Sequence, residues 1–461
     1  MSPERHPIKN RLHHARRIVA WQLNRLASGL GRLRCDQQGV SAVILALALI
    51  PLCLASGSAI DMGRAYIVKS RLGYALDAAG LAVGSATTSD QDELEAIMLA
   101  YFEANYPEYE LGAAVTPTMT IVDKEISLSA TATVDTTLMK VIGIDEMTVA
   151  ASTLIVRETK GLDVVLVLDN TGSMGTAKMN SLKNAAHSFL DIIYGEATEN
   201  EFLMVGVVPF STTVNVGTGF GYLTSGYSPT AYNPLTWTGC VMARASGMDT
   251  TDDAPTSEAT KWNAFLWPDD SNNNWKGWGS GPPATPNRYC PVELLPLTTS
   301  KTVVENKIDA MSSSGNTHIN YGLVWGWRVI SPEAPYTEGH AYDDEDFVKS
   351  IVLMTDGENV MSSSVFTAYG YLSQGNLGTT SSSSAAIDEL NDRTAETCEN
   401  IKAEGVIIYS ITFQVTSSSV RDLMRDCASE TDNYFDSPSE TELQAAFRTI
   451  AQELSNLRIG R

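Results

Sequence analysis

Several common catalytic fingerprints are missing from this sequence of 461 residues. It contains no Gly-x-Ser-x-Gly pattern, no phosphate-binding P-loop and no glycine-rich dinucleotide fingerprint. Its six cysteines and six histidines also lack the spacings of zinc ligands. Basic side chains are few, 32 against 54 acidic ones, and a formal charge of -22 repels nucleic acid. The sequence therefore gives no support for a nucleotide-dependent enzyme, a serine hydrolase, a zinc protein or a nucleic-acid-binding protein.

The few basic side chains are concentrated at the start of the chain. Eight of the 32 lie in residues 1–39 beside only two of the 54 acidic ones, which leaves a formal charge of about -28 on the rest. Residues 40–60 are uncharged and rich in Ala, Leu and Ile, and this run is long enough to cross a bilayer as a helix. By the positive-inside rule, the leader stays in the cytoplasm and everything after Asp61 is exported. We therefore predict a single-pass inner-membrane protein whose later domains are periplasmic or surface-exposed.

Two other interpretations of the uncharged run fit less well. A cleavable secretory signal has a shorter apolar core and a shorter basic leader. A buried helix of a soluble domain would need protein on every side, because this run has no polar face. Both stay open as alternatives at the level of the sequence.

A second apolar run, at residues 164–168, has the composition of a strand that is buried on both faces of a parallel sheet. It leads directly into Asp169, Thr171 and Ser173, separated by Asn and Gly. Open α/β sheets bind ligands at the carboxyl ends of their strands. Carboxylate and hydroxyl oxygens suit Mg²⁺, with Ca²⁺ or Mn²⁺ as alternatives, rather than zinc or copper. The segment therefore predicts a hard-cation site at the edge of a sheet.

Two later segments offer the further oxygens that such an ion needs. Residues 350–354 form another buried-strand pattern, which runs into Asp356, and a glycine-flanked turn at residues 315–323 carries Thr317 just before a helix. In this order, the whole set resembles the metal-ion-dependent adhesion site of von Willebrand factor A domains: Asp169, Thr171, Ser173, Thr317 and Asp356. The resemblance covers about residues 161–457.

That resemblance implies a doubly wound α/β fold, a bound divalent cation and a partner whose carboxylate completes the coordination of the ion. In the family, the hydroxyls bind the metal directly and the Asp residues often act through water. Thr171 stands where Ser is the commoner residue, and it keeps the hydroxyl donor.

Three alternatives to a metal site fit some of these residues. Asp, Thr and Ser after a strand also cap helices, because their oxygens accept the free N–H groups of the first turn. A phosphotransferase with Asp169 as its nucleophile would need a second carboxylate as general acid two residues on, where this chain has Thr171. A metal-dependent hydrolase would need a general base, for which only Glu358 and His318 are near. We therefore expect binding without turnover, and expect His318 to be structural or solvent-exposed.

Two stretches around the uncharged run carry a second resemblance: Gln-Gly-Val-Ser-Ala-Val at residues 38–43 and Ala-Ile-Asp-Met-Gly-Arg-Ala-Tyr at residues 59–66. They are similar to the start of TadE/TadG-type proteins of tight-adherence (Flp) pilus assembly. Members that prepilin peptidase cleaves keep a Glu five residues past the Gly, whereas Ile44 holds that place after Gly39 here. The match is therefore to the TadG type, which retains its anchor ahead of a von Willebrand A domain. It implies partners among other pilus assembly or pseudopilin-like components.

Hydrophobic periodicity then predicts the organisation of the chain. The exported part begins with a small α+β module, and alternating strands and helices after it predict a doubly wound α/β domain. The predicted divisions are a basic leader at 1–39, a transmembrane helix at 40–60, the TadE/TadG-like module at 61–158, and a von Willebrand A domain at 159–461 with insertions at about 215–299 and 362–384.

The two insertions differ in composition. The larger is rich in Gly, Asn, Pro and Trp, and its five tryptophans predict a local core of its own, with an exposed adhesive face as the alternative. These are Trp237, Trp262, Trp267, Trp275 and Trp278. The smaller is rich in Ser and Gly and is predicted to be mobile.

The cysteines divide by compartment. Cys35 is predicted to lie in the cytoplasm and Cys53 in the membrane, so neither is expected to be oxidised. Four exported cysteines allow three disulfide connectivities. Locality favours one of them, with Cys240 joined to Cys290 around the Trp-rich insertion and Cys398 joined to Cys427.

Overall fold

The computed structural model describes residues 37–86, 90–106, 116–122, 125–156, 160–277 and 284–459. Most of the predicted cytoplasmic leader, Cys35 and Trp278 lie outside the described residues. The chain divides into two compact units, one up to Arg157 and one from Glu158 onward.

The first unit builds one apolar core from two helices and a three-stranded antiparallel sheet. Its elements are α1 (Gln37–Gly84), α2 (Gln91–Asn105), β1 (Thr118–Val122), β2 (Glu125–Asp135) and β3 (Glu146–Val156), with the strands in the order β1-β2-β3. Alternate side chains of β2, from Ile126 to Val134, are buried, as the two-residue period of a strand requires. They pack against the apolar face of α1 around Leu72 and Leu76.

By length and composition, α1 is the one helix in the described part of the chain that qualifies to cross a membrane, and the candidate span is Ser41–Gly84. Residues 41–53 are exposed on all sides, whereas from Val68 onward one face of the helix is buried in the core of the unit. The span predicted at residues 40–60 includes this exposed stretch, and within its last turns Gly57 is buried.

The second unit is a twisted sheet with helices on both faces. Its strands are β4 (Gly161–Asp169), β5 (Leu203–Phe210), β6 (Val214–Asn215), β7 (Cys240–Val241), β8 (Leu295–Thr298), β9 (Phe347–Thr355), β10 (Ile407–Phe413) and β11 (Tyr434–Ser437). Its helices are α3 (Gly175–Tyr194), α4 (Lys301–Asp309), α5 (Ile319–Ile330), α6 (Ser383–Ala403), α7 (Ser418–Cys427) and α8 (Glu440–Ile459).

Strands run parallel through β11-β10-β9-β4-β5, and the short β6, β7 and β8 extend the β5 side in antiparallel fashion. Side chains of β4 point alternately to two cores. Leu166 and Leu168 meet α3 and α8 on one face, while Val165 and Val167 meet α5 on the other. Every residue of β4 is therefore buried. This arrangement confirms the predicted doubly wound α/β fold.

The larger insertion does not form a separate core. Trp237 and Trp262 belong to the same apolar cluster as Val165 and Val167 of the sheet, and the rings of Trp262 and Trp325 of α5 are 5.1 Å apart. Trp267 is buried in a smaller cluster beside the Cys240–Cys290 disulfide. The predicted local core is therefore only part of the packing. Trp267 belongs to the smaller cluster, whereas Trp237 and Trp262 cover one face of the sheet and α5.

The smaller insertion is packed rather than mobile, so that prediction is wrong. Four large apolar side chains in it are buried, namely Phe366, Tyr369, Leu372 and Leu377. The indole N–H of Trp267 donates to the hydroxyl of Tyr371 over 2.8 Å, which ties the two insertions together. The Ser and Gly residues form turns between these buried side chains.

Two disulfides are present in the second unit. Cys240 is bonded to Cys290, 50 positions along the chain, and Cys398 of α6 is bonded to Cys427 of α7, 29 positions along. Among the described residues, Cys53 of α1 is a free and exposed thiol.

Candidate functional site

The carboxyl end of β4 fixes the first predicted ligand at the centre of the sheet. Asp169 is fully buried. One carboxylate oxygen accepts the N–H of Thr171 at 2.8 Å, and the other accepts the Thr355 hydroxyl at 2.8 Å and the N–H of Asp356 at 3.4 Å. The loop after β4 and the end of β9 are thus held together through this one carboxylate.

A chain of hydroxyls connects the first loop to the second predicted Asp. The Thr171 and Ser173 hydroxyl oxygens are 2.9 Å apart, and Ser173 donates to a carboxylate oxygen of Asp356 at 2.6 Å. Ser173 and Asp356 are 183 residues apart in sequence. Their contact joins the two parts of the chain that the sequence analysis had placed at one sheet edge.

These residues do not act as helix caps. Thr171 precedes a single 3-10 turn (Gly172–Met174) and Met174 precedes α3, and neither side chain makes a capping hydrogen bond. The hydroxyls of Thr171 and Ser173 face each other and Asp356 instead of the free N–H groups of the helix.

Thr317 lies on a loop that abuts the first one. The N–H of Gly172 donates to the carbonyl of Gly315 at 2.9 Å, and the carbonyl of Thr317 accepts the N–H of Val360 at 2.9 Å. Gly315 has a φ of 87° and a Cβ there would lie 2.9 Å from Tyr289, so the close approach requires glycine. Among the five site residues, all of them described, no hydrogen bond links the Thr317 hydroxyl to another site side chain. The structure joins four directly and places the fifth on the neighbouring loop.

Two further residues of the site were missed by sequence reasoning. Thr355 bonds Asp169, as above, and the ammonium group of Lys178 lies 2.7 Å from the second carboxylate oxygen of Asp356. Thr355 directly follows the apolar run of residues 350–354, which is the pattern that identified Asp169. Lys178 stands in the first turn of α3, where the helix dipole disfavours a cation, so its presence signals a nearby negative charge.

The electrostatics of the site favour a bound cation. Burial and the charge of Asp356 both raise the pKa of Asp169 above its ordinary value of 3.8. The Asp356 side chain is also fully buried, while that of Lys178 is 25% exposed. Two buried carboxylates thus share the positive charge of one partly exposed lysine, which leaves the site with a negative charge.

The donor set also fits a hard cation. The described residues contain no group of three or more His, Cys, Asp or Glu side chains placed to hold a metal ion. The site instead combines two carboxylates with hydroxyls, the donor chemistry of Mg²⁺ and similar ions. Polar side-chain atoms buried without a partner among the described residues are also frequent here, on Asn170, Thr212, Asn316, His318 and Asn320. Buried polar groups of this kind are usually satisfied by ordered water or an ion.

One prediction concerns the pH dependence of stability without metal. The raised pKa of Asp169 means that the folded state binds this proton more tightly than the unfolded chain, so stability falls as the pH rises above the ordinary carboxyl value of 3.8. Asp169→Asn removes that fall. The stability of the variant relative to the wild type, measured by urea unfolding in chelator, is expected to increase between about pH 4 and pH 7. If the free energy of unfolding of the two proteins changed in parallel with pH, the raised pKa of Asp169 would be contradicted.

The two candidate general bases do not join the site. Glu358 is exposed. His318 is fully buried, burial lowers its pKa to about 3, and its ring stacks on Tyr369 with 6.0 Å between centroids. At neutral pH His318 is therefore an uncharged core residue, as expected of a structural histidine.

Residues 39–86 match the family model described as putative Flp pilus-assembly TadE/G-like. No curated protein matches the chain.

Several solved structures are similar to the chain at low identity. The pilus adhesin SpaC from Lactobacillus rhamnosus GG, in its open conformation, is 13% identical over 74% of this chain and 33% of that chain, with a TM-score of 0.37. The vWF domain of the type V pili tip protein Mfa5 from Porphyromonas gingivalis is 14% identical over 66% of this chain and 97% of that chain, with a TM-score of 0.37. Proximal thread matrix protein 1 from the mussel byssus, with a zinc occupied MIDAS motif, is 14% identical over 65% of this chain and 47% of that chain, with a TM-score of 0.32.

The chain spans 33% of the length of the SpaC chain. The family match covers nearly the whole of α1, and the strand order and helices of the second unit are those described above. The protein therefore joins a segment that is similar to the TadE/G-like pilus-assembly family to a doubly wound α/β domain.

Proposed function

We propose that this protein is a membrane-anchored component of pilus assembly or adhesion whose von Willebrand A domain captures a protein partner through a divalent cation, Mg²⁺ first, with Ca²⁺ or Mn²⁺ as alternatives. The observation that carries the proposal is the hydrogen bond between Ser173 and Asp356, which brings two distant loops to one edge of the sheet. The TadE/G-like match at residues 39–86 supports the pilus setting and the anchor.

The roles of the residues follow from their chemistry. Thr171, Ser173 and Thr317 would offer hydroxyl oxygens to the ion, while Asp169 and Asp356 would balance its charge from the buried side. When bound, the ion supplies a positive centre with a coordination position that a carboxylate of the partner can fill. Ser173 and Gly172 are exposed, so a partner can reach the loop from solvent. The ammonium group of Lys178 also lies beside Asp356.

The test compares two buried threonines. Thr317→Val removes a hydroxyl at the site, whereas Thr397→Val removes one in α6 that bonds only its own helix, through the carbonyl of Arg393. Thr317→Val is expected to weaken Mg²⁺ binding, measured by titration calorimetry, by about 10- to 100-fold. It should equally weaken the Mg²⁺-dependent cross-linking of neighbours in intact cells, and Thr397→Val should change neither.

Stability separates this proposal from its nearest rival, a structural envelope protein in which the metal only stiffens the domain. At 100 times its dissociation constant, Mg²⁺ is expected to stabilise the wild-type domain by about 2.7 kcal/mol, and a chelator should remove this gain. Partner capture that persists undiminished in excess chelator, while the melting temperature falls, would overturn the adhesive proposal in favour of the rival.

A further inference from the structure

The turn between β2 and β3 exposes an unusual amount of apolar surface. Within residues 136–145, four large aliphatic side chains are exposed: Leu138 (39%), Val141 (78%), Ile142 (50%) and Ile144 (39%). Most of them belong to or flank a short 3-10 helix (Met139–Ile142) at the tip of the hairpin. Clustered exposed apolar side chains usually mark a surface that is covered by a partner or a membrane.

Asp61 holds this turn beside α1. Its carboxylate accepts the N–H groups of Thr137, Leu138 and Met139 at 3.1, 2.8 and 2.8 Å, and Asp61 itself is only 2% exposed. Arg64, one turn further along α1, donates to the Thr137 hydroxyl at 2.8 Å. The turn is therefore fixed at the first charged residue after the uncharged run of α1.

The position of Leu138 places the turn at the depth of the apolar helix surface. A Cβ on Gly57 would lie 2.6 Å from the Cβ of Leu138, so Leu138 packs directly on the bare backbone there. Gly57 precedes Asp61 by one helical turn, about 6 Å along the axis. Leu138 thus lies alongside the last turn of the segment that the membrane anchor buries in lipid.

We propose that residues 136–145 form a second membrane contact, in which the apolar side chains of the turn enter the interfacial layer of the bilayer that α1 crosses. This inference rests on the proposed membrane anchor. A lipid surface fits better than a protein, because Leu138 packs on Gly57, one helical turn beyond the exposed apolar residues 41–53 of α1. The carboxylate of Asp61, where the turn meets α1, is covered by three N–H groups. Charge in the turn itself is confined to the exposed pair of Lys140 and Asp145.

The polar side chains of the turn are compatible with lipid headgroups. Lys140 is largely exposed and pairs loosely with Asp145 at 3.8 Å. A lysine between apolar side chains extends its ammonium group to the headgroup level while its stem stays with the apolar side chains. Together, α1 and the turn give the first unit two attachments to one surface, which restricts its rotation about the helix axis.

Spin labels on the full-length protein test this contact in nanodiscs of phosphatidylethanolamine and phosphatidylglycerol. Cys35→Ser leaves Cys53 as the native reporter of the span. With Cys53→Ser added, Val141→Cys reports on the turn, and Val122→Cys is the matched control. Val122 is also aliphatic and exposed, 61% against 78% for Val141, and it lies at the opposite end of the sheet, about 33 Å away along β2.

We expect the label at Val141, like that at Cys53, to collide several-fold more often with oxygen, and less often with water-soluble chromium oxalate, than the label at Val122. A Val141 label that chromium oxalate reaches as freely as it reaches Val122, while Cys53 stays in lipid, would overturn the membrane contact and leave the anchor intact. A Val141 label shielded from both reagents would also overturn it, because a protein would then cover the turn. If the Cys53 label itself is in water, the proposed anchor fails.

Discussion

Asp163→Ala is expected to lower the free energy of unfolding of the second unit by about 3–5 kcal/mol, the cost of leaving a buried charge without its partner. Asp163 is fully buried near the start of β4. Its carboxylate accepts the Lys349 ammonium at 2.9 Å and the backbone N–H of His340 at 2.9 Å. Burial already lowers the pKa of Lys349, and Asp163 is the main group that keeps it charged. Without Asp163, Lys349 must stay charged in the interior or lose its proton.

Urea unfolding of the purified protein measures this loss, and the exposed pair of Asp309 and His187 provides the control. Asp309 is 63% exposed, so Asp309→Ala should cost no more than about 1 kcal/mol. The double variant Asp163→Leu with Lys349→Met should recover most of the stability, because neither charge remains buried. A loss below about 1 kcal/mol for Asp163→Ala would show that water reaches Lys349.

The second large effect is expected at Trp262, where replacement by Ala should cost about 3–5 kcal/mol. The indole ring is fully buried, and the guanidinium groups of Arg244 and Arg328 lie 4.6 and 5.2 Å from its centroid. Because Trp262 packs on Trp325 of α5 as well as on the insertion, the loss should appear in the single unfolding transition of the whole unit.

To see whether the whole unit unfolds in one transition, far-UV and near-UV circular dichroism are followed together during unfolding of the Trp262→Ala variant. Trp275→Ala is the control, since Trp275 is only partly buried and its indole N–H bonds one carbonyl, that of Trp267. An early near-UV transition that leaves the main far-UV transition unchanged would mean that the insertion is an independent core after all.

The main strands and helices of the second unit were predictable because each segment has the hydrophobic pattern of the element that it forms. Residues 164–168 are uniformly apolar because β4 has a helical layer on each face. The apolar spacing of residues 319–330 predicts a helix with the bounds of α5, and its burial on all sides matches its apolar composition. The spacing of residues 301–313 predicts a longer helix than α4, which ends at Asp309 because a serine-rich segment leads from there to the Thr317 loop.

The insertions and part of the site were not predictable, for a physical reason. Whether Trp262 packs within its own segment or on a distant helix depends on long-range contacts that local composition does not encode. The same holds for Phe366 and Tyr369, whose burial gives order to a segment rich in Ser and Gly. The first-turn position of Lys178 signals a nearby negative charge, but local composition does not identify its partner, Asp356, which is 178 residues away.

The disulfides set a limit on how far the second unit can be stretched. A polypeptide that is pulled at both ends lengthens by about 3.4 Å for each residue that unravels. The bond between Cys240 and Cys290 transmits a pulling force directly between two residues that are 50 positions apart in the sequence. The segment between them, which would be about 170 Å long when fully extended, is therefore not stretched. This segment includes Trp262, which packs against one face of the sheet. Its two ends therefore stay joined when the second unit is pulled.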